Sequence, residues 1–113
     1  MFSALAGPMD PDRRQHPRFK VRVPAEFSTE GSDSPIRGAT SDLSLSGCYI
    51  ETVFPFAIGT RLELKLQVDG TLLALATVAT SDSQVGNGIQ FTRMLLEDID
   101  ELRAFLDSAQ KSE

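Results

Sequence analysis

Two short motifs hold the side chains of this chain best suited to joint chemistry: Arg14-Gln15-His16-Pro17-Arg18 near the start and Asp42-Leu43-Ser44-Leu45-Ser46-Gly47 further on. The first supplies two guanidinium groups, always charged and planar, which grip phosphate or a purine edge through paired donors. The second supplies a carboxylate and a hydroxyl that can hydrogen-bond to a base, followed by a glycine that lets backbone come close. A ligand that satisfies both sets carries phosphates and guanine at once. Taken singly, each motif has a plainer meaning. A basic run is commonly a solvated arm, and Asp-x-Ser-x-x-Gly is commonly a turn closed by its own side chains.

The framework around these motifs is legible in the hydropathy pattern. Phe19, Val21, Val23, Ala25 and Phe27 alternate with Lys20, Arg22, Pro24 and Glu26, which is the period of a strand with one buried face. Pro24 lacks a donor and marks an edge or a bulge. A turn-rich stretch, 28–35, leads to a second strand from Ile36 to Asp42. Cys48, Ile50 and Thr52 then alternate with Tyr49 and Glu51 in a third. Leu62, Leu64, Leu66 and Val68 form a fourth, and Asp69-Gly70 is a two-residue hairpin signal that returns the chain through 71–80. Residues 81–88 have the composition of a turn region, with Asn87-Gly88 suited to positive backbone dihedrals. A sixth strand spans 89–93. Near the end the period changes: Leu95, Ile99, Leu102, Phe105 and Leu106 share one helical face, and Glu97, Asp98 and Asp100 lie where the helix dipole favours acids.

Short strands joined by hairpins, without crossover helices, predict an all-β fold with a C-terminal helix: a six-stranded antiparallel β-barrel. The domain organisation is a tail at 1–12, one domain at 13–107 and a tail at 108–113. Within the domain lie an arginine loop at 13–18, the barrel at 19–93 and the helix at 95–107. At 113 residues the chain suits one domain with its own core. No stretch approaches the roughly 18 to 20 apolar residues of a spanning helix, and 1–8 lack the basic n-region and apolar run of a secretory signal. With Cys48 as the single cysteine, the expectation is a cytoplasmic protein. The net charge of -5 conceals a concentration of Arg13, Arg14, Arg18, Lys20 and Arg22, five of the eleven basic residues. Such a cluster suits a small anion, whereas DNA or RNA would call for a broader basic surface.

On Arg14, Arg18, Asp42, Ser44 and Gly47 the chain resembles a PilZ domain, the bacterial receptor module for cyclic di-GMP, whose signature is Arg-x-x-x-Arg followed by Asp or Asn-x-Ser-x-x-Gly. The likeness extends over nearly the whole chain, and Gly86-Asn87-Gly88-Ile89-Gln90-Phe91 resembles the last strand of such domains. It implies a six-stranded barrel with a C-terminal helix, in agreement with the hydropathy pattern. It also implies a site in which Arg14 and Arg18 clasp the ligand, Asp42 accepts from the guanine edge, Ser44 adds a hydroxyl contact and Gly47 permits the turn. An arginine at the position of Arg13 goes in this family with an intercalated ligand dimer. The loop from Arg13 to Arg18 is expected to be mobile until the ligand offsets its charge.

The resemblance thus implies a non-enzymatic receptor that signals to a partner protein, with cyclic di-GMP as ligand, no cofactor, no DNA or RNA and no membrane. Barrel edges and the helix could each support a homodimer. The competing reading is a PilZ-like adaptor that binds no nucleotide, for example in pilus assembly. Members of the family that the chain resembles act in motility, exopolysaccharide secretion, adhesion and virulence. His16, the only histidine, has no partners at metal-ligand or triad spacing.

Overall fold

The computed structural model describes residues 17–111. Six strands, β1 (Pro24–Thr29), β2 (Ile36–Leu43), β3 (Gly47–Glu51), β4 (Arg61–Gln67), β5 (Thr71–Asp82) and β6 (Gly86–Met94), precede one helix, α1 (Leu96–Lys111). They close into a barrel in the order β1-β2-β3-β6-β5-β4, every pair antiparallel. Closure leaves no strand edge in need of a partner.

Period-2 alternation drives this architecture. In β4, Leu62, Leu64 and Leu66 are buried while Arg61, Glu63, Lys65 and Gln67 are exposed. Ala25 and Phe27 of β1, Ile50 of β3, Leu72 and Val78 of β5 and Ile89 of β6 fill the same interior. Truncating one of these buried leucines to alanine costs roughly 2–5 kcal/mol. Leu102 and Leu106, one helical turn apart, add the buried stripe of α1 to the core, with Phe105 packed beside them. The acids Glu97 and Asp98 occupy its first turn. No helix among the described residues is long and apolar enough to cross a membrane.

Four local expectations are corrected. The first strand starts at Pro24, not Phe19. Upstream of it, Phe19 makes one bridge to Leu43, and the Thr40 side chain takes up the backbone between. Its Oγ1 accepts from Val23 N at 3.0 Å and donates to Val21 O at 2.8 Å. Thr40 N also donates to Val23 O at 2.9 Å, so side-chain and backbone bonds together hold this stretch ahead of Pro24.

The β5–β6 turn is shorter than expected. The left-handed residue is Gln84, at φ 63°, and Asn87 and Gly88 lie inside β6. Asn87 is instead a buried clamp. Its Oδ1 accepts from Phe56 N at 2.8 Å, and its Nδ2 donates to Phe56 O at 3.0 Å and to Thr80 O at 3.1 Å. These bonds hold the β3–β4 connection, and Phe56 packs edge-on against Phe27 with ring centroids 5.9 Å apart.

Leu95 does not share the helix's apolar face. It is exposed just ahead of α1, and its carbonyl accepts from Asp98 N and Ile99 N. The helix also continues to Lys111, beyond the expected end at 107.

Candidate functional site

Two backbone bonds set the site. Phe19 N donates to Leu43 O at 2.9 Å and Leu43 N to Phe19 O at 3.0 Å, so the entering chain is fastened beside the end of β2. Phe19 turns inward and Arg18 outward, diagonal to Asp42 on the outer face. Arg18 Nη1 donates to Asp42 Oδ1 at 2.9 Å. Arg18 and Asp42, one from each motif and 24 residues apart in sequence, thus meet. The Arg18 side chain is 56% exposed and that of Asp42 26%, so solvent and solutes reach the pair. Lys20 and Arg22 are exposed along the same alternating stretch.

The turn between β2 and β3 is built by Ser44. Its N donates to Gly47 O at 2.8 Å, and its Oγ accepts from Ser46 N at 3.1 Å and Gly47 N at 3.2 Å. The same oxygen lies 3.1 Å from Ser46 Oγ and 3.3 Å from Gly47 O. Ser44 is fully buried. Its hydroxyl is therefore engaged within the turn, where the sequence motif suggested a contact to ligand. Gly47 serves a different need from a turn dihedral. It pairs with Gln90 in the β3–β6 ladder, and a Cβ there would overlap the carbonyl oxygen of Ile89. Of the six residues expected at the site, Arg18 and Asp42 present groups to solvent, and Ser44 and Gly47 shape the support beneath them. Arg13 and Arg14 lie outside the described residues.

Cys48, beside this turn, faces the core and is buried. Burial, reinforced by the Asp42 carboxylate and opposed by Arg18, pushes its thiol up to about 12. Because the thiolate is the reactive form, the native protein is expected to resist thiol reagents near neutral pH and to react once denatured. Rapid labelling of the native protein would contradict this placement.

Tyr49 and Asp82 are the residues that motif reading passes over. Tyr49 pairs with Asp42 across β2 and β3, and its hydroxyl donates to Asp82 Oδ2 at 2.7 Å. That hydrogen bond, followed by desolvation and the charges of Asp82, Glu51 and Asp42, pushes the phenol up to about 12. The phenolate should therefore form later than that of a free tyrosine, which titrates near about 10. Absorbance titration can follow this cleanly, since the chain has one tyrosine and no tryptophan. Asp82→Asn should move the midpoint back toward the free value, and an unchanged midpoint would refute the hydrogen bond as cause. The sequence signal was the strand alternation that points Tyr49 outward, but its proximity to Asp42 depends on register.

Comparison with known proteins bears on the family and the fold. The PilZ domain family profile matches residues 12–108. Among solved structures, the PilZ domain of CeSA from a cellulose-synthesizing bacterium superposes with a TM-score of 0.65 at 20% identity, covering 81% of this chain and 97% of that one. The Bacillus subtilis inhibitor of motility MotI/DgrA gives a TM-score of 0.76 at 17% identity, covering 89% of this chain and 53% of that one, so the present chain spans about half its length. The PilZ domain of YcgR from Escherichia coli, solved with c-di-GMP, gives 0.66 at 16% identity, covering 88% and 96%. No curated protein matches the chain.

Proposed function

The chain belongs to the PilZ domain family, and from that premise we propose that it is a receptor for cyclic di-GMP that passes ligand occupancy on to a partner protein. The observation that carries the reading is the 2.9 Å contact between Arg18 and Asp42, which joins both halves of the family's ligand signature. The presence of c-di-GMP in the YcgR structure supports the choice of ligand.

In this mechanism the Arg18–Asp42 pair is the resting contact. An exposed ion pair contributes only about 0–1 kcal/mol, so a ligand can exchange it at little cost. Asp42 turns to accept from the N1–H and 2-amino donors of guanine. Arg18 engages a phosphate or the O6/N7 edge, together with Arg14. Ser44 and Gly47 hold Asp42 in place.

The like charges of Arg13, Arg14 and Arg18 oppose one another, and the ligand's two phosphates offset that repulsion. Binding thereby ties segment 13–18 to the barrel rim and changes the surface a partner meets. A partner that discriminates the two states reads the signal. Arg13 favours two stacked nucleotides per protomer.

Calorimetry with cyclic di-GMP tests the reading. Heat should saturate at two nucleotides per protomer, and a ratio of one would remove the role given to Arg13. Hydrogen exchange across 13–18 should slow at saturating ligand. Absence of binding heat would favour a nucleotide-free adaptor instead.

A further inference from the structure

The tyrosine paired with Asp42 across β2 and β3 belongs to neither motif. Its neighbours on β3, Cys48 and Ile50, are buried, so alternation turns Tyr49 to the outer face. There it stands directly opposite Asp42, at the short range of a cross-strand pair. The ring is fixed at two points. Its hydroxyl is tied to Asp82 Oδ2 at 2.7 Å, and its Cε1 lies so close over Gly86 that a Cβ on that residue would come within 2.8 Å. From β3 the side chain thus reaches across the start of β6 to the end of β5, backed by glycine backbone and still partly open to solvent.

A flat aromatic surface held in place on the strand next to the one that carries an outward carboxylate is complementary to a purine. The base edge can meet the carboxylate while its face covers the ring, and prior fixing of the ring reduces the freedom lost on binding. We infer that Tyr49 is a stacking platform for a guanine base whose edge is held by Asp42, with Asp82 as the positioning residue that keeps the ring in line. This inference rests on the receptor reading above.

The test uses the full chain with cyclic di-GMP as probe. The single tyrosine, labelled with 13C in its ring, supplies an unambiguous NMR reporter. At saturation its ring protons should shift upfield, as stacking under a base requires. Calorimetry should show Tyr49→Ala weakened on the order of tenfold or more, the scale of base–aromatic stacking. Tyr49→Phe keeps the ring but loses the hydrogen bond to Asp82, and should weaken binding less than Tyr49→Ala does.

Asp82→Ala should weaken binding less than Tyr49→Ala and reduce the ring shift at saturation. Wild-type binding with unmoved ring signals would overturn the stacking role alone, whether or not Tyr49→Ala folds. Unchanged affinity in a folded Tyr49→Ala would do the same, whereas absence of binding by the wild type would overturn the receptor reading and this inference with it.

Discussion

Arg18→Ala is expected to abolish the binding heat of cyclic di-GMP and to leave the fold intact. The two halves of this expectation have separate physical causes. A hydrogen bond to a charged group contributes about 1.5–3 kcal/mol, and a guanidinium that grips a phosphate or a base edge makes two of them. Losing both lowers affinity by a factor of about 150 or more, which removes the heat at ligand concentrations that saturate the wild type. Stability behaves differently because the Arg18 side chain is 56% exposed and its partner in the described structure is Asp42 alone. An exposed pair is worth about 1 kcal/mol at most, so the thermal midpoint should move by only a few degrees. Arg18→Lys keeps the charge but not the planar fork, and should recover only part of the affinity. Wild-type heat from a folded Arg18→Ala protein would remove the cationic clasp from the mechanism.

Gly47→Ala is expected to lower stability strongly, for a reason unrelated to ligand. Gly47 pairs with Gln90, and its neighbour Cys48 with Ile89, where β3 meets β6. A Cβ on Gly47 would overlap the Ile89 carbonyl oxygen and lie 3.1 Å from its carbon. Both obstacles are backbone, so no side-chain rotamer can relieve them. The strands must part or slip, at a cost of about 3 kcal/mol or more, which lowers the thermal midpoint by on the order of 15 °C in a domain of this size. Gly31 offers the contrast. Its φ is +85° but nothing lies within 4 Å of an added Cβ, so Gly31→Ala should cost about 1 kcal/mol through backbone strain alone. Thermal denaturation followed by circular dichroism compares the two. A Gly47→Ala midpoint equal to that of Gly31→Ala would mean that β3 and β6 do not approach as described.

The two substitutions divide the family signature by physical role. In the proposed site Arg18 and Asp42 offer charged groups to the ligand, while Ser44 and Gly47 secure the backbone that carries Asp42. Loss of binding in Gly47→Ala would therefore accompany loss of structure, whereas in Arg18→Ala it would not.

Whatever depends on neighbours along the chain was legible in the sequence alone. Alternation over Leu62, Leu64 and Leu66 made a strand with one buried face, Asp69-Gly70 returned it, and the change of period near Leu102 and Leu106 announced the helix. The two motifs were equally legible, since their residue types specify the chemistry on offer. Features that rest on strands meeting at a given register were settled by the three-dimensional fold. That register turned the Ser44 hydroxyl into the turn, made Gly47 a point of backbone contact and put Asn87 at the Phe56 backbone. It also set Tyr49 opposite Asp42. A strand's period is encoded in its own residues, but its register comes from distant partners whose backbones must fit, and here that fit brought Arg18 to Asp42.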